Sequence, residues 1–305
     1  MQVVANPMAN SRQDQPGAAI LPDLPTRERH KLVLLATLLG VGAAPAQADY
    51  DWRPPLQDLF RTDLVFPQEQ GELQLGTFPT YGDGPAGSAF VLPIGVEYGI
   101  TDSLQVEAES DAYIHADAEE DEESGSGQGN LQLGFMYSWI DIQDSGFHTA
   151  AGFEYEFASG DPEFQEGGFR ADSQELFLIF AKDLDETSRR QLFLQVGVEF
   201  RKDRRPATAI GAGDLDLDQD GESESSEGHD PNVWFANLGG YTTWGATVMS
   251  LEINLSEDAE ERYVTPGITY QPAEGFEIGL GVAVGVDDEA DDYQVIGKLI
   301  WEFGD

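Results

Sequence analysis

The sequence predicts an all-β protein: a transmembrane, antiparallel, up-and-down β-barrel of about 12 strands. Three observations predict it. Segments of about ten residues with alternating polarity recur from residue 71 onwards. The connections between them alternate between tight and long. The last segment is a strand capped by aromatic residues. In it, one row reads Tyr293, Val295, Gly297, Leu299, Trp301, Phe303, and the other reads Gln294, Ile296, Lys298, Ile300, Glu302. A period of two with unlike rows describes a strand whose faces meet different surroundings. Chain ends are usually loose, whereas the last strand of a barrel must pair with the first to close the sheet.

Taken in order, residues 1–26 are polar and aperiodic. Arg27-Glu28-Arg29-His30-Lys31 then precedes the apolar run Leu32 to Ala44 and the small-residue site Ala46-Gln47-Ala48. A basic stretch, a short apolar run and an A-x-A site spell a signal peptide, so 1–48 is expected to be an extension and signal cleaved near Ala48. Residues 49–70 carry prolines and mixed polarity, and are expected to be a periplasmic lead-in with one helical turn around Leu56 to Phe60. Residues 71–305 are expected to be the outer-membrane barrel. No segment after the signal is long and apolar enough for a membrane-spanning helix, which needs about 20 residues. An exported chain then enters a second membrane only as a closed barrel.

Strands are predicted near 71–80, 89–99, 103–113, 130–140, 147–158, 172–182, 191–201, 232–241, 247–255, 262–270, 275–285 and 292–303. Connections after even-numbered strands are short, and the others are Gly-rich or acidic and often long. That sorting by parity gives tight turns on the periplasmic side and long loops outside. The apolar rows, such as Leu131, Leu133, Phe135, Tyr137, Trp139 and Leu192, Leu194, Val196, Val198, Phe200, are expected to face lipid, with aromatics at the interfaces. Packing of the same rows in a soluble sandwich is the alternative.

The alternate rows then face the lumen. The candidate lining is Glu97, Gln105, Glu107, Glu109, Glu154, Glu156, Glu199, Arg201, Glu252, Glu277 and Lys298. An acidic lining makes a cation-preferring aqueous path. The alternative is a closed interior in which acids and bases pair, or one obstructed by the lead-in.

Lys plus Arg number 16 against 57 Asp plus Glu, a net charge of -41, which excludes nucleic acid as a partner. Cysteine is absent, so there is neither a disulfide frame nor thiol chemistry. The four histidines are scattered, with no obvious nucleophile beside His148 and no nucleotide-binding loop, so the expectation is not an enzyme. One motif is sharper. Asp216, Asp218, Asp220, Gly221, Glu222 and Glu227 satisfy D-x-D-x-D-G-x5-E, the spacing that wraps oxygens around Ca²⁺. Ser223 departs from the usual apolar eighth position, and an acidic loop that matches by chance is the alternative.

Phe60-Arg61-Thr62-Asp63, Gly71-Glu72-Leu73-Gln74-Leu75 and the stretch Val96-Glu97-Tyr98-Gly99-Ile100-Thr101-Asp102-Ser103-Leu104-Gln105-Val106 resemble the outer-membrane transporter-like proteins of the phenol-degradation meta-pathway family. The resemblance implies an envelope barrel passing small hydrophobic or aromatic compounds. The function expected is a passive channel for small solutes in the outer membrane of a Gram-negative envelope, with a non-conducting structural or surface-interaction barrel as the alternative. Expected partners are outer-membrane lipid, the barrel-assembly machinery and small solutes.

Overall fold

The computed structural model describes residues 56–84, 87–118, 124–161, 169–170, 172–185, 189–201, 205–206, 232–257, 262–287 and 290–304. The expected signal region and the acidic motif at Asp216, Asp218, Asp220, Glu222 and Glu227 lie outside them.

Twelve antiparallel strands close into one barrel. They are β1 (Leu73–Thr77, resumed at Thr80–Gly84), β2 (Gly87–Thr101), β3 (Leu104–Ala118), β4 (Leu131–Trp139, preceded by the short Gly125–Gly127), β5 (Phe147–Phe157) and β6 (Ser173–Asp183). There follow β7 (Arg190–Arg201), β8 (Asn232–Trp244), β9 (Thr247–Ser256), β10 (Tyr263–Ala273), β11 (Phe276–Gly285) and β12 (Tyr293–Phe303). Each pairs with its chain neighbour, and β12 returns to β1 through Leu73↔Phe303 and Leu75↔Trp301, which closes the twelve-strand sheet on itself. β1 breaks at Phe78-Pro79 because proline has no N–H to give the ladder. Closure survives the break, since the Pro79 carbonyl still accepts the Gly297 N–H at 2.8 Å. A separate two-strand ladder joins Phe169–Arg170 to Arg205–Pro206.

Connections at the end where β1 begins and β12 finishes are tight. Gly245-Ala246 and Glu274-Gly275 are two-residue turns whose glycines take φ of 57° and 67°, a region costly for other residues. At the opposite end β2 and β3 run further than expected, to Gly87 and Ala118. Large apolar side chains cover the outside: Leu133, Phe135, Tyr137 and Trp139 on β4, Leu192 and Leu194 on β7, Leu299, Trp301 and Phe303 on β12 are all exposed. Val198, on a row expected to face lipid, departs from that expectation in being buried, as are Val282 and Val284 on β11.

The described part of the segment expected as a lead-in does not form the helical turn expected around Leu56 to Phe60. Residues 56–68 form a small hairpin inside the barrel. Leu64 N donates to Gln57 O at 2.7 Å, Asp58 bridges Asp63, and Leu59 N donates to Thr62 O at 3.0 Å across the tip. A lone helical turn would leave its end groups unsatisfied, while the hairpin pairs its own backbone and borrows acceptors from the wall. Leu56, Leu59, Leu64, Val65 and Phe66 are buried against inward-facing Met136, Phe177, Ile179, Phe193, Tyr241 and Val248. Each such side chain contributes about 1.5–3 kcal/mol. The core of the molecule therefore lies within the barrel, between hairpin and wall.

Candidate functional site

The hairpin tip divides the interior. Towards the tight-turn end the wall grips the segment. Glu252, fully buried, accepts the Phe60 and Arg61 N–H groups at 3.1 and 3.0 Å, and a carboxylate is the strongest acceptor available for such N–H groups. Lys298 donates to the Asp58 carbonyl at 2.7 Å and lies 2.7 Å from the Glu277 carboxylate. Gln74 donates to Asp58 and to Glu97 at 2.9 and 2.8 Å, and Gln105 accepts the Gln68 N–H at 3.0 Å. Arg61 lies 4.2 Å from the centre of the Tyr263 ring and hydrogen-bonds Gln294. The Phe60 ring occupies space that Gly267, Gly279 and Gly281 leave free.

Beyond the tip, towards the long-loop end, lie cavities of about 240, 280 and 170 Å³. Glu107, Glu109 and Glu154 line the first with Asp63, Glu154 and Glu199 the second, and Glu109 and Glu156 the third. Glu107 and Glu154 meet over Gly134, which has no side chain to keep them apart. Arg201 pairs with Glu199 at 2.9 Å.

The candidates thus divide into two groups. Glu97, Gln105, Glu252, Glu277 and Lys298 contact or flank the hairpin. Glu107, Glu109, Glu154, Glu156, Glu199 and Arg201 surround the space beyond it. Burial raises the Asp63 carboxyl to about 7, helped by the charges of Asp58, Glu109 and Glu252 and opposed by a hydrogen bond from Gln195. Burial also raises Asp58, against the pull of Lys298 and Gln74.

Sequence reasoning did not find Asp58, Arg61 and Asp63 as interior groups, nor the apolar inner patch. A signal was present, since β6 carries apolar residues on both rows from Leu176 to Phe180, as only a strand buried on both faces needs. His148 is braced rather than free. Its Nδ1 accepts the Asp141 N–H at 2.9 Å, its Nε2 lies 3.0 Å from Asp183, and the Phe66 ring packs on it at 5.0 Å.

The family model described as "Putative MetA-pathway of phenol degradation" matches residues 73–303. Among solved structures, the barrel is similar to an outer membrane channel from Pseudomonas putida F1 (12% identity, TM-score 0.52, 86% of this chain and 100% of that one). It is also similar to the KdgM porin (8% identity, TM-score 0.47, 76% and 99%) and to a TodX mutant monoaromatic hydrocarbon channel (11% identity, TM-score 0.37, 77% and 90%). At these identities the likeness concerns the fold. No curated protein matches the chain in sequence.

Proposed function

The chain belongs to the family described by the MetA pathway of phenol degradation, and from that premise we propose that it is an outer-membrane barrel through which small solutes diffuse past an inserted hairpin. The observation that carries this reading is the contrast between the two faces of the wall. Outside, Leu, Phe, Tyr and Trp side chains stand exposed around the sheet, a surface that only a lipid phase stabilises. Inside, an apolar patch holds the hairpin, while beyond the hairpin tip a largely polar wall encloses cavities of about 240 and 280 Å³. Glu107, Glu109, Glu154 and Glu156 give that space a negative field, which enriches cations over anions. The tight turns then belong to the periplasmic side and the long loops to the outside.

The hairpin supports a second reading, a non-conducting structural barrel, because it fills the interior near one end. Planar bilayers decide between the two. Reconstituted full-length protein should give a small ohmic conductance with a cation-selective reversal potential. Changing Glu107, Glu109, Glu154 and Glu156 together to Gln should bring the reversal potential towards zero. Bilayers that stay silent over repeated preparations would replace the channel with the structural barrel.

A further inference from the structure

Glu252 and Lys298 hold the hairpin from the tight-turn side, and a further anchor reaches its tip from the long-loop end. Ala290 to Asp292, which lead into β12, turn into the barrel. Ala290 is fully buried in one apolar cluster with Phe60 of the hairpin, Tyr263, Ala283 and Ile296. Asp291 sits on bare backbone. The three heavy atoms that a Cβ at Gly84 would meet first all belong to Asp291, its Cα at 2.7 Å. A Cβ at Gly82 would meet its carboxylate at 2.5 Å, and one at Gly285 its carbonyl oxygen. Side chains at those three places would close the seat, and glycine in a strand marks such a close approach. Asp292 N donates to Asp83 O at 2.9 Å and ties the segment to β1.

From that seat a short path leads to the hairpin. Gln294 Nε2 donates to the Asp291 carboxylate at 2.9 Å and to Tyr263 Oη at 3.2 Å, and Asp291 N donates to Tyr263 Oη at 3.3 Å. With its N–H groups drawn that way, Gln294 turns its Oε1 to the hairpin, where it accepts from the Arg61 guanidinium. The same guanidinium lies 4.2 Å from the centre of the Tyr263 ring. A carboxylate only accepts, so Asp291 decides which end of the Gln294 amide faces Arg61. Turned the other way, the amide would set donors against donors. Gln294 thus offers Arg61 an acceptor as long as Asp291 keeps its seat.

We propose that Ala290–Asp292 and the hairpin tip are two halves of one latch, so that displacing Asp291 from its glycine seat loosens the tip within the barrel. The biological meaning rests on the channel reading, under which the hairpin is loosened from the outer mouth. The coupling itself does not require conduction.

Coupling between two sites is reciprocal, so each half should report the other. Purified full-length protein in detergent is labelled with a small thiol reagent at Thr62→Cys on the tip or at Ala290→Cys in the seated segment, both buried positions. Gly84→Ala puts a methyl group into the seat, where its nearest neighbours are atoms of Asp291 and none of the hairpin. It should speed labelling of Thr62→Cys by about three- to tenfold, the worth of one net hydrogen bond. Arg61→Met, on the tip, should speed labelling of Ala290→Cys by a similar factor. Asp287→Asn opens the pair with Arg262 at the same rim and should change neither rate. Heat-modifiable gel migration shows that each variant is folded. An unchanged Thr62→Cys rate in the Gly84→Ala background would overturn the latch, and so would an effect that runs in one direction only. A rise of the same size with Asp287→Asn would overturn it too, since any disturbance of the rim would then loosen the interior. Reciprocal rates in a protein that is silent in bilayers support the latch and remove the channel. Conductance with independent rates removes the latch alone.

Discussion

Phe60 shows how much a single position controls in this interior. A Cβ at Gly267 would lie 2.1 Å from the ring, one at Gly281 2.7 Å and one at Gly279 3.0 Å, so the three glycines act as a mould for it. Gly267→Leu fills that mould from the wall side. The ring must leave, forfeiting about 1.5–3 kcal/mol of burial, which raises the undocked fraction of the hairpin tip by roughly ten- to a hundredfold. The rate at which a thiol reagent labels Thr62→Cys reports that fraction, because Thr62 is buried when the tip is docked. Labelling should accelerate in the Gly267→Leu background while the barrel remains folded, and an unchanged rate would mean that the ring does not anchor the tip. Nothing in the sequence distinguishes these glycines from others that merely thin a strand. Glycine in a strand announces a close approach without saying what approaches. The facing of Leu194 against Gln195, by contrast, was legible, because alternation is a local property of one strand.

The hairpin is the element whose docking ties the interior together, and its aspartates make that docking depend on pH. Asp63 is raised to about 7 and Asp58 is raised as well, both first of all by burial. A released hairpin would titrate in the ordinary range near pH 4. Between about 4 and 7 the docked form therefore holds protons that the released form has lost, and docking weakens as pH rises across that window. Bilayer conductance at constant salt should be larger at pH 8.5 than at pH 5, and Asp63→Asn should flatten the profile. Other carboxyls of the lumen also titrate, so the comparison with the variant is what isolates Asp63; identical profiles in the two proteins would refute the mechanism. This element was not legible in advance. Leu56, Leu59, Phe60, Leu64, Val65 and Phe66 follow neither a strand nor a helix period, because a short hairpin held on all sides buries apolar groups wherever they fall. Its anchors are long-range. Phe60 meets Glu252 across 192 residues of chain and Lys298 meets Asp58 across 240, separations to which sequence pattern is blind.

For the whole molecule, closure was the most legible property, because a barrel repeats one instruction. Alternation sets the faces, and the terminal row Tyr293 to Phe303 finds β1 as its partner. The same repetition sorts the connections. Gly245-Ala246 and Glu274-Gly275 turn within two residues, while β7 and β8 are separated by residues 202–231. The start of β1 and the end of β12 lie with the tight turns: Gly71 N donates to Gly99 O at 2.8 Å, and Glu302 N donates to Gly275 O at 2.8 Å. If the wall is inserted from the periplasm, long acidic connections are the parts that reach the exterior, and the first and last residues of the barrel stay behind. Cysteines at two described positions test that orientation: Ser126→Cys between β3 and β4, and Glu274→Cys in the turn between β10 and β11. An impermeant thiol reagent applied to intact cells should label Ser126→Cys, and Glu274→Cys only after the outer membrane is permeabilised. The native chain has no cysteine, so every label reports the introduced site. Label on Glu274→Cys in intact cells, with Ser126→Cys protected, would turn the barrel over and place the acidic cavities at the periplasmic mouth.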